Sequence, residues 1–155
     1  MAVLQDDLLK GHKLRSTSGR SEILNLFIKR SHALSYSDIE KEVSSMFDRV
    51  TVYRTLKAFL DRGVIHKVLD DGGTLKYALC SEHCREEDHH HDHIHFKCIQ
   101  CGETNCLDDV EVPAIRLPKG YKAKEVNLLI RGTCQKCNFS GEAKGMITRQ
   151  SNQKS

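Results

Sequence analysis

The sequence predicts an α+β protein. Its N-terminal part reads as a winged helix, a helix-turn-helix plus a β-hairpin wing, and its C-terminal part as a small α/β domain with a four-cysteine zinc site. Three observations carry this. Apolar residues recur at helical spacing as far as Gly63 and then at strand spacing on either side of Asp70-Asp71-Gly72-Gly73. Two Cys-x-x-Cys pairs, Cys98/Cys101 and Cys134/Cys137, stand 32 residues apart. Finally, 155 residues with 39% apolar content and no tryptophan suit two small cores helped by a metal staple better than one large core. The expected division is 1–80 for the winged helix, 81–93 for a polar linker, 94–143 for the metal-binding domain and 144–155 for a frayed tail.

Leu4 to Leu9 is a short helical candidate. Arg20 to Arg30 is amphipathic, with Ile23, Leu24, Phe27 and Ile28 on one face. Ser37-Asp38-Ile39-Glu40 has the form of a capping box, and the helix it opens is expected to run to about Met46. From Asp48, Val52, Leu56, Phe59 and Leu60 mark a further helix that Gly63 stops. Val64–Leu69 and Thr74–Leu79 then read as two strands joined by the Asp-Asp-Gly-Gly turn. Beyond the linker, Ile94–Ile99, Thr104–Leu107 and Ala123–Gly132 are strand candidates, and Pro113 and Pro118 argue against a long helix between the cysteine pairs.

The chain has no apolar run near 18 residues, hence no expected membrane span, and residues 1–10 lack the apolar stretch of a signal peptide. A cytoplasmic protein is expected, and there seven cysteines point to metal ligands before disulfides. Formal net charge is +3, all of it in residues 1–79, with 13 Lys/Arg against 10 Asp/Glu; the remainder balances at 11 against 11. The N-terminal half is therefore the better surface for a polyanion. The Arg49–Arg62 helix offers Arg49, Thr51, Tyr53, Arg54 and Lys57 on its polar side. In a helix-turn-helix this helix enters the major groove, where Arg pairs with guanine edges or phosphates and Thr meets a thymine methyl. Arg15 and Arg20, before the first long helix, are candidate phosphate contacts with double-stranded DNA.

Four thiolates in two knuckles, each beside a turn former (Gly102 or Asn138), can close one tetrahedral zinc site. A paired redox role would need a Cys-x-x-Cys opening a helix in a βαβ setting, which is missing. The run His89-His90-His91-Asp92-His93-Ile94-His95 suggests a second site. On a strand, His91, His93 and His95 share a face. Further ligands are to come from His66, Cys80 or Cys106, with Cys84 a weaker candidate. Sulfur joined to imidazole favours Zn2+ over Fe2+ or Mn2+ as the regulatory ion.

Val50-Thr51-Val52-Tyr53-Arg54-Thr55-Leu56, His93-Ile94-His95-Phe96-Lys97-Cys98-Ile99-Gln100-Cys101-Gly102 and Cys134-Gln135-Lys136-Cys137 resemble, in that order, the signatures of the ferric uptake regulator family of metal-dependent bacterial repressors. The resemblance covers roughly residues 10–140. It implies a C-terminal dimerisation domain, a homodimer, and a regulatory metal between the domains that closes the dimer onto a palindromic operator. His66-Lys67-Val68 and Tyr77-Ala78-Leu79-Cys80 look like the zinc uptake regulator branch, where a histidine and a cysteine at these places bind regulatory zinc. Ala78 lies near where iron and peroxide sensors carry an acidic residue, and Cys106 stands where the family commonly has Asp or Glu. No histidine follows His95, so the family's further interdomain site lacks a ligand. His32 is offset by one position from a histidine that some members use and stays outside the predicted set. The prolines imply that the family's long dimerisation-domain helix is shortened or lost.

The expected function is thus a zinc-sensing transcriptional repressor. An iron-sensing or peroxide-sensing repressor of the same family is the alternative. A zinc enzyme is disfavoured: the chain has neither His-x-Glu with Pro-Cys-x-x-Cys nor His-Glu-x-x-His. A metal-storage protein would leave the Tyr53–Arg54 helix unexplained.

Overall fold

The structure, a computed structural model, describes residues 2–80, 94–124 and 126–140. The proposed linker, His89, His90, His91, His93, Cys84 and the tail lie outside the described residues. In chain order the elements are α1 (Ala2–Gly11), α2 (Ser18–Arg30), β1 (Leu34–Ser35), α3 (Tyr36–Val43), α4 (Arg49–Asp61), β2 (Ile65–Leu69), β3 (Leu75–Leu79), β4 (Ile94–Cys98), β5 (Thr104–Leu107) and β6 (Leu128–Gly132). The α+β class and its order, helices and hairpin first and a small sheet second, match the expectation.

Local chemistry explains the boundaries. Thr17 caps α2, its hydroxyl accepting from Arg20 N at 3.3 Å, so the helix starts two residues before the apolar pattern does. The capping box of α3 is Ser35/Asp38, not Ser37/Glu40. Ser35 Oγ accepts from Asp38 N at 3.1 Å, and Ser35 N donates to the Asp38 carboxylate at 3.0 Å. The shift has a tertiary cause: Leu34 and Ser35 form a strand against Tyr77 and Lys76 of β3, and the chain turns into helix directly from that pairing. Glu40 is thereby left to bind Arg49, 2.6 Å away. The helix also ends at Val43 and not near Met46: the chain turns there, with Met46 N and Phe47 N donating to Val43 O at 2.9 and 3.0 Å, and Asp48 opens the next helix. Gly63 follows α4 with φ +69°, the left-handed stop expected of it.

The helices and wing share one core, built around Leu9, Ile23, Leu24, Ile39, Val52 and Phe59. The wing sheet has the order β1-β3-β2 and the C-terminal sheet β5-β4-β6, with β4 antiparallel to β5 and parallel to β6. Between β5 and β6 the described residues form no helix, as the prolines implied. Among the described residues, the C-terminal unit buries few apolar side chains, chiefly Ile94 and Cys98. So small a core needs a cross-link to persist. Ala33, Val68 and Ala78 pack with Cys106 in a second cluster that joins the two units, and Ala33 N donates to Thr104 O at 2.8 Å across the same seam.

Candidate metal centres and nucleic-acid interface

Cys98 ends β4 and Cys101 sits in the turn to β5. Gly102, at φ +77°, donates its N–H to Cys98 O at 3.0 Å, which folds the knuckle. Cys134 and Cys137 follow β6. The second pair is not a Gly-type knuckle: residues 135–140 are helical, and Asn138 N donates to Cys134 O at 2.8 Å. Asn138 is thus a helix residue and not the turn former expected of it. The four sulfurs lie within 4.8 Å of one another, and Cys101 Sγ is 3.9 Å from Cys134 Sγ. A tetrahedron with Zn–S bonds of about 2.3 Å has S–S edges of about 3.8 Å, so the donor set fits zinc. The thiols are unequal. Backbone N–H groups of Cys101 and Cys134 donate to Cys98 Sγ, the second at 3.3 Å, and lower that thiol to about 6. The Cys134 thiol and burial push Cys137 up to about 12.

The second cluster bridges the two units. His66 lies on β2 of the wing; His95 and Cys106 are register partners on β4 and β5. His66 Nε2 is 3.3 Å from His95 Nε2 and 3.2 Å from Cys106 Sγ. Both imidazoles are buried, at 3% and 5% exposure. With Zn–N bonds of about 2.0–2.1 Å, N–N edges near 3.4 Å are expected, close to the separation found. Of the predicted regulatory ligands the structure brings together these three. The Cys80 sulfur lies 3.5 Å from His66 Nδ1, on the opposite ring nitrogen from His95 and Cys106. The Cys80 sulfur thus meets the His66 ring from its other side, next to the three-ligand cluster. His91 and His93 lie outside the described residues. His32 stands 3.9 Å from a Glu103 carboxylate oxygen and outside the cluster.

On α4, Tyr53, Arg54 and Lys57 are exposed, as is Arg49. Two are engaged locally: Arg49 with Glu40, and Lys57 with Asp61 at 2.9 Å, a hydrogen bond that raises the lysine above its usual range. Thr51 is half-buried, between the polar and the packed sides of the helix. A Cβ placed on Gly19 of α2 would stand 3.2 Å from the Thr51 methyl, so that methyl serves helix packing. Arg20 donates to Arg15 O at 2.8 Å, which fixes the segment before α2 and leaves Arg15 exposed.

Sequence reasoning missed the ion pairs beside the second cluster. Asp70 takes Lys97 at 2.8 Å and Lys76 at 3.0 Å, and Asp71 takes Arg131 at 2.8 Å. The aspartates read as turn formers, and nothing local marks them as reaching another domain.

The ferric uptake regulator family model matches residues 11–131. The chain belongs to the ferric uptake regulator family. The ferric uptake regulation protein of Staphylococcus epidermidis is 30% identical over 135 residues, covering 84% of this chain and 91% of that protein; that of Staphylococcus aureus is 28% identical over 134 residues, covering 84% and 93%. A solved zinc uptake regulator complexed with zinc and DNA shares the fold at TM-score 0.62 and 20% identity, covering 90% of this chain and 94% of that one. The Vibrio cholerae ferric uptake regulator follows at 0.54 and 20%, covering 83% and 98%. Membership makes the chain a metal-dependent transcriptional regulator and not an enzyme. No described helix is long and apolar enough to cross a membrane.

Proposed function

We propose that this regulator is a zinc-sensing repressor that binds a palindromic operator as a homodimer when its regulatory metal is bound. The observation that carries the reading is the convergence of His66, His95 and Cys106 from two units onto one point. Two imidazoles and a sulfur favour zinc over iron or manganese, which take more oxygen. A fourth ligand is Cys80 or one of His91 and His93. Cys98, Cys101, Cys134 and Cys137 hold a second, structural zinc within the dimerisation domain, residues 94–143, joined by the 81–93 linker to the winged helix, residues 1–80. Arg54 and Tyr53 read the major groove from α4, while Arg15, Arg20, Arg49 and Lys57 hold phosphates.

The mechanism is linkage. Ligands from both units meet only in the closed arrangement, so metal binds that arrangement better and raises its population. Zinc supplies a cross-link there and no reaction chemistry. Ferrous iron is the second reading, favoured by the names of the curated relatives at 28–30% identity. Operator binding measured at fixed salt against buffered zinc, ferrous iron and manganese decides between them. Zinc is expected to tighten binding at the lowest free concentration. Equal affinity with and without zinc would sink the reading, and tightening by ferrous iron alone would transfer it to iron.

A further inference from the structure

The wing turn carries two adjacent acids, and the C-terminal sheet presents two adjacent bases to them. Lys97 of β4 and Arg131 of β6 are register partners, so their side chains leave the same face of the sheet. Lys97 reaches Asp70 at 2.8 Å and Arg131 reaches Asp71 at 2.8 Å. The first pair is shielded, with side chains 16% and 8% exposed; the second is open. Strand periodicity ties these pairs to the metal cluster. His66 and Asp70 are four residues apart along one face, His66 on β2 and Asp70 just past its end; His95 and Lys97 are two apart on the facing strand. The same two backbones therefore meet twice, once through imidazoles and once through charges.

We propose that Asp70 and Asp71 form, with Lys97 and Arg131, an interdomain clasp that holds the closed arrangement without metal and so sets the affinity of the regulatory site. The inference rests on the regulatory site proposed above. It also gives the wing a role other than DNA contact: its acidic tip faces the C-terminal sheet, and acids there would repel phosphate. Because apparent affinity scales with the fraction of molecules already closed, a clasp that raises that fraction tightens metal binding without touching the metal. Asp70, Asp71, Lys97 and Arg131 are positioning residues in this sense.

Lys76 supplies the control. It binds the same Asp70 oxygen at 3.0 Å but comes from β3, within the wing. Lys97→Met cuts the link between units and Lys76→Met does not, although each removes one lysine from Asp70. With structural zinc retained, Lys97→Met is expected to weaken zinc at the removable site about tenfold, since it removes the shielded pair between the units while Asp70 keeps only Lys76, from its own unit. Lys76→Met is expected to stay within about twofold, and Lys97→Arg to recover most of the loss, because a guanidinium also satisfies the carboxylate. Small-angle scattering of the protein stripped of removable metal should show Lys97→Met expanded and Lys76→Met unchanged. Equal behaviour of the two methionine variants, in affinity and in scattering, overturns the clasp. If Lys97→Met loses its structural zinc, the exposed pair decides: Asp71→Asn and Arg131→Met should each weaken the removable site about twofold, an effect erased in high salt, and no change overturns the proposal. A wild-type protein with no removable zinc would instead refute the zinc-sensing reading, while scattering would still report on the clasp.

Discussion

The two clusters use similar donors in opposite ways. The four cysteines all belong to the C-terminal unit: Cys98 ends β4, Cys101 lies in the turn after it, and Cys134 and Cys137 lie just before and within the short helix that follows β6. His66, His95 and Cys106 come from both units. On the proposed reading, metal affinity for the first set is coupled to the folding of one small sheet, and affinity for the second to the relative placement of the two units. The same ion can thus be a permanent staple in one place and a reporter of concentration in the other. What separates them is where the ligands originate in the chain, not the chemistry of the ligands.

Three experiments sharpen or break that contrast. The largest effect is expected from Cys98→Ser. It removes a buried ligand from a sheet with little apolar core, and structural zinc contributes on the order of 10 kcal/mol to such sites. Circular dichroism and metal analysis should show a C-terminal unit that no longer folds cooperatively; a stable, zinc-free sheet would mean the cysteines are not a staple.

His66→Ala should be milder for the fold and severe for function. One chelator-resistant zinc per chain is retained, the removable one is lost, and zinc ceases to strengthen operator binding. Retention of both ions at wild-type affinity would dissolve the distinction between the clusters.

The smallest change is in pH dependence. Loading the four-cysteine site displaces protons from thiols held above their usual range, Cys137 at about 12 and Cys101 less so, while Cys98, at about 6, is already a thiolate at neutral pH. Apparent zinc affinity should therefore fall as pH falls, by at least about a hundredfold per unit near neutrality, with one decade from each of the two raised thiols. Chelator competition at pH 6.5 and 7.5 measures it. A slope well below two decades would mean that those two thiols are not both displaced.

Much of this was legible along the chain because the deciding interactions are short-range. Helical periodicity placed α2 and α4, and the Asp-Asp-Gly-Gly turn placed the wing. The Cys-x-x-Cys spacing identified the first cluster before any geometry was known. The errors also have a common source. The α3 cap moved because β1 pairs with β3, forty residues away; Thr51 is half-buried because Gly19 admits α2 so closely; Asp70 and Asp71 are held by lysine and arginine from strands beyond residue 93.

By itself the sequence determined the family, the order of elements and the four-cysteine set, since each depends on residue type at fixed local spacing. It also named His66, His95 and Cys106 among several candidates without choosing between them. That choice belonged to the tertiary structure: β2 and β4 meet face to face, which brings a wing imidazole within 3.3 Å of a sheet imidazole and sets Cys80 on the ring's far nitrogen. Pairing across separate strands depends on how whole faces pack, and no local spacing encodes it.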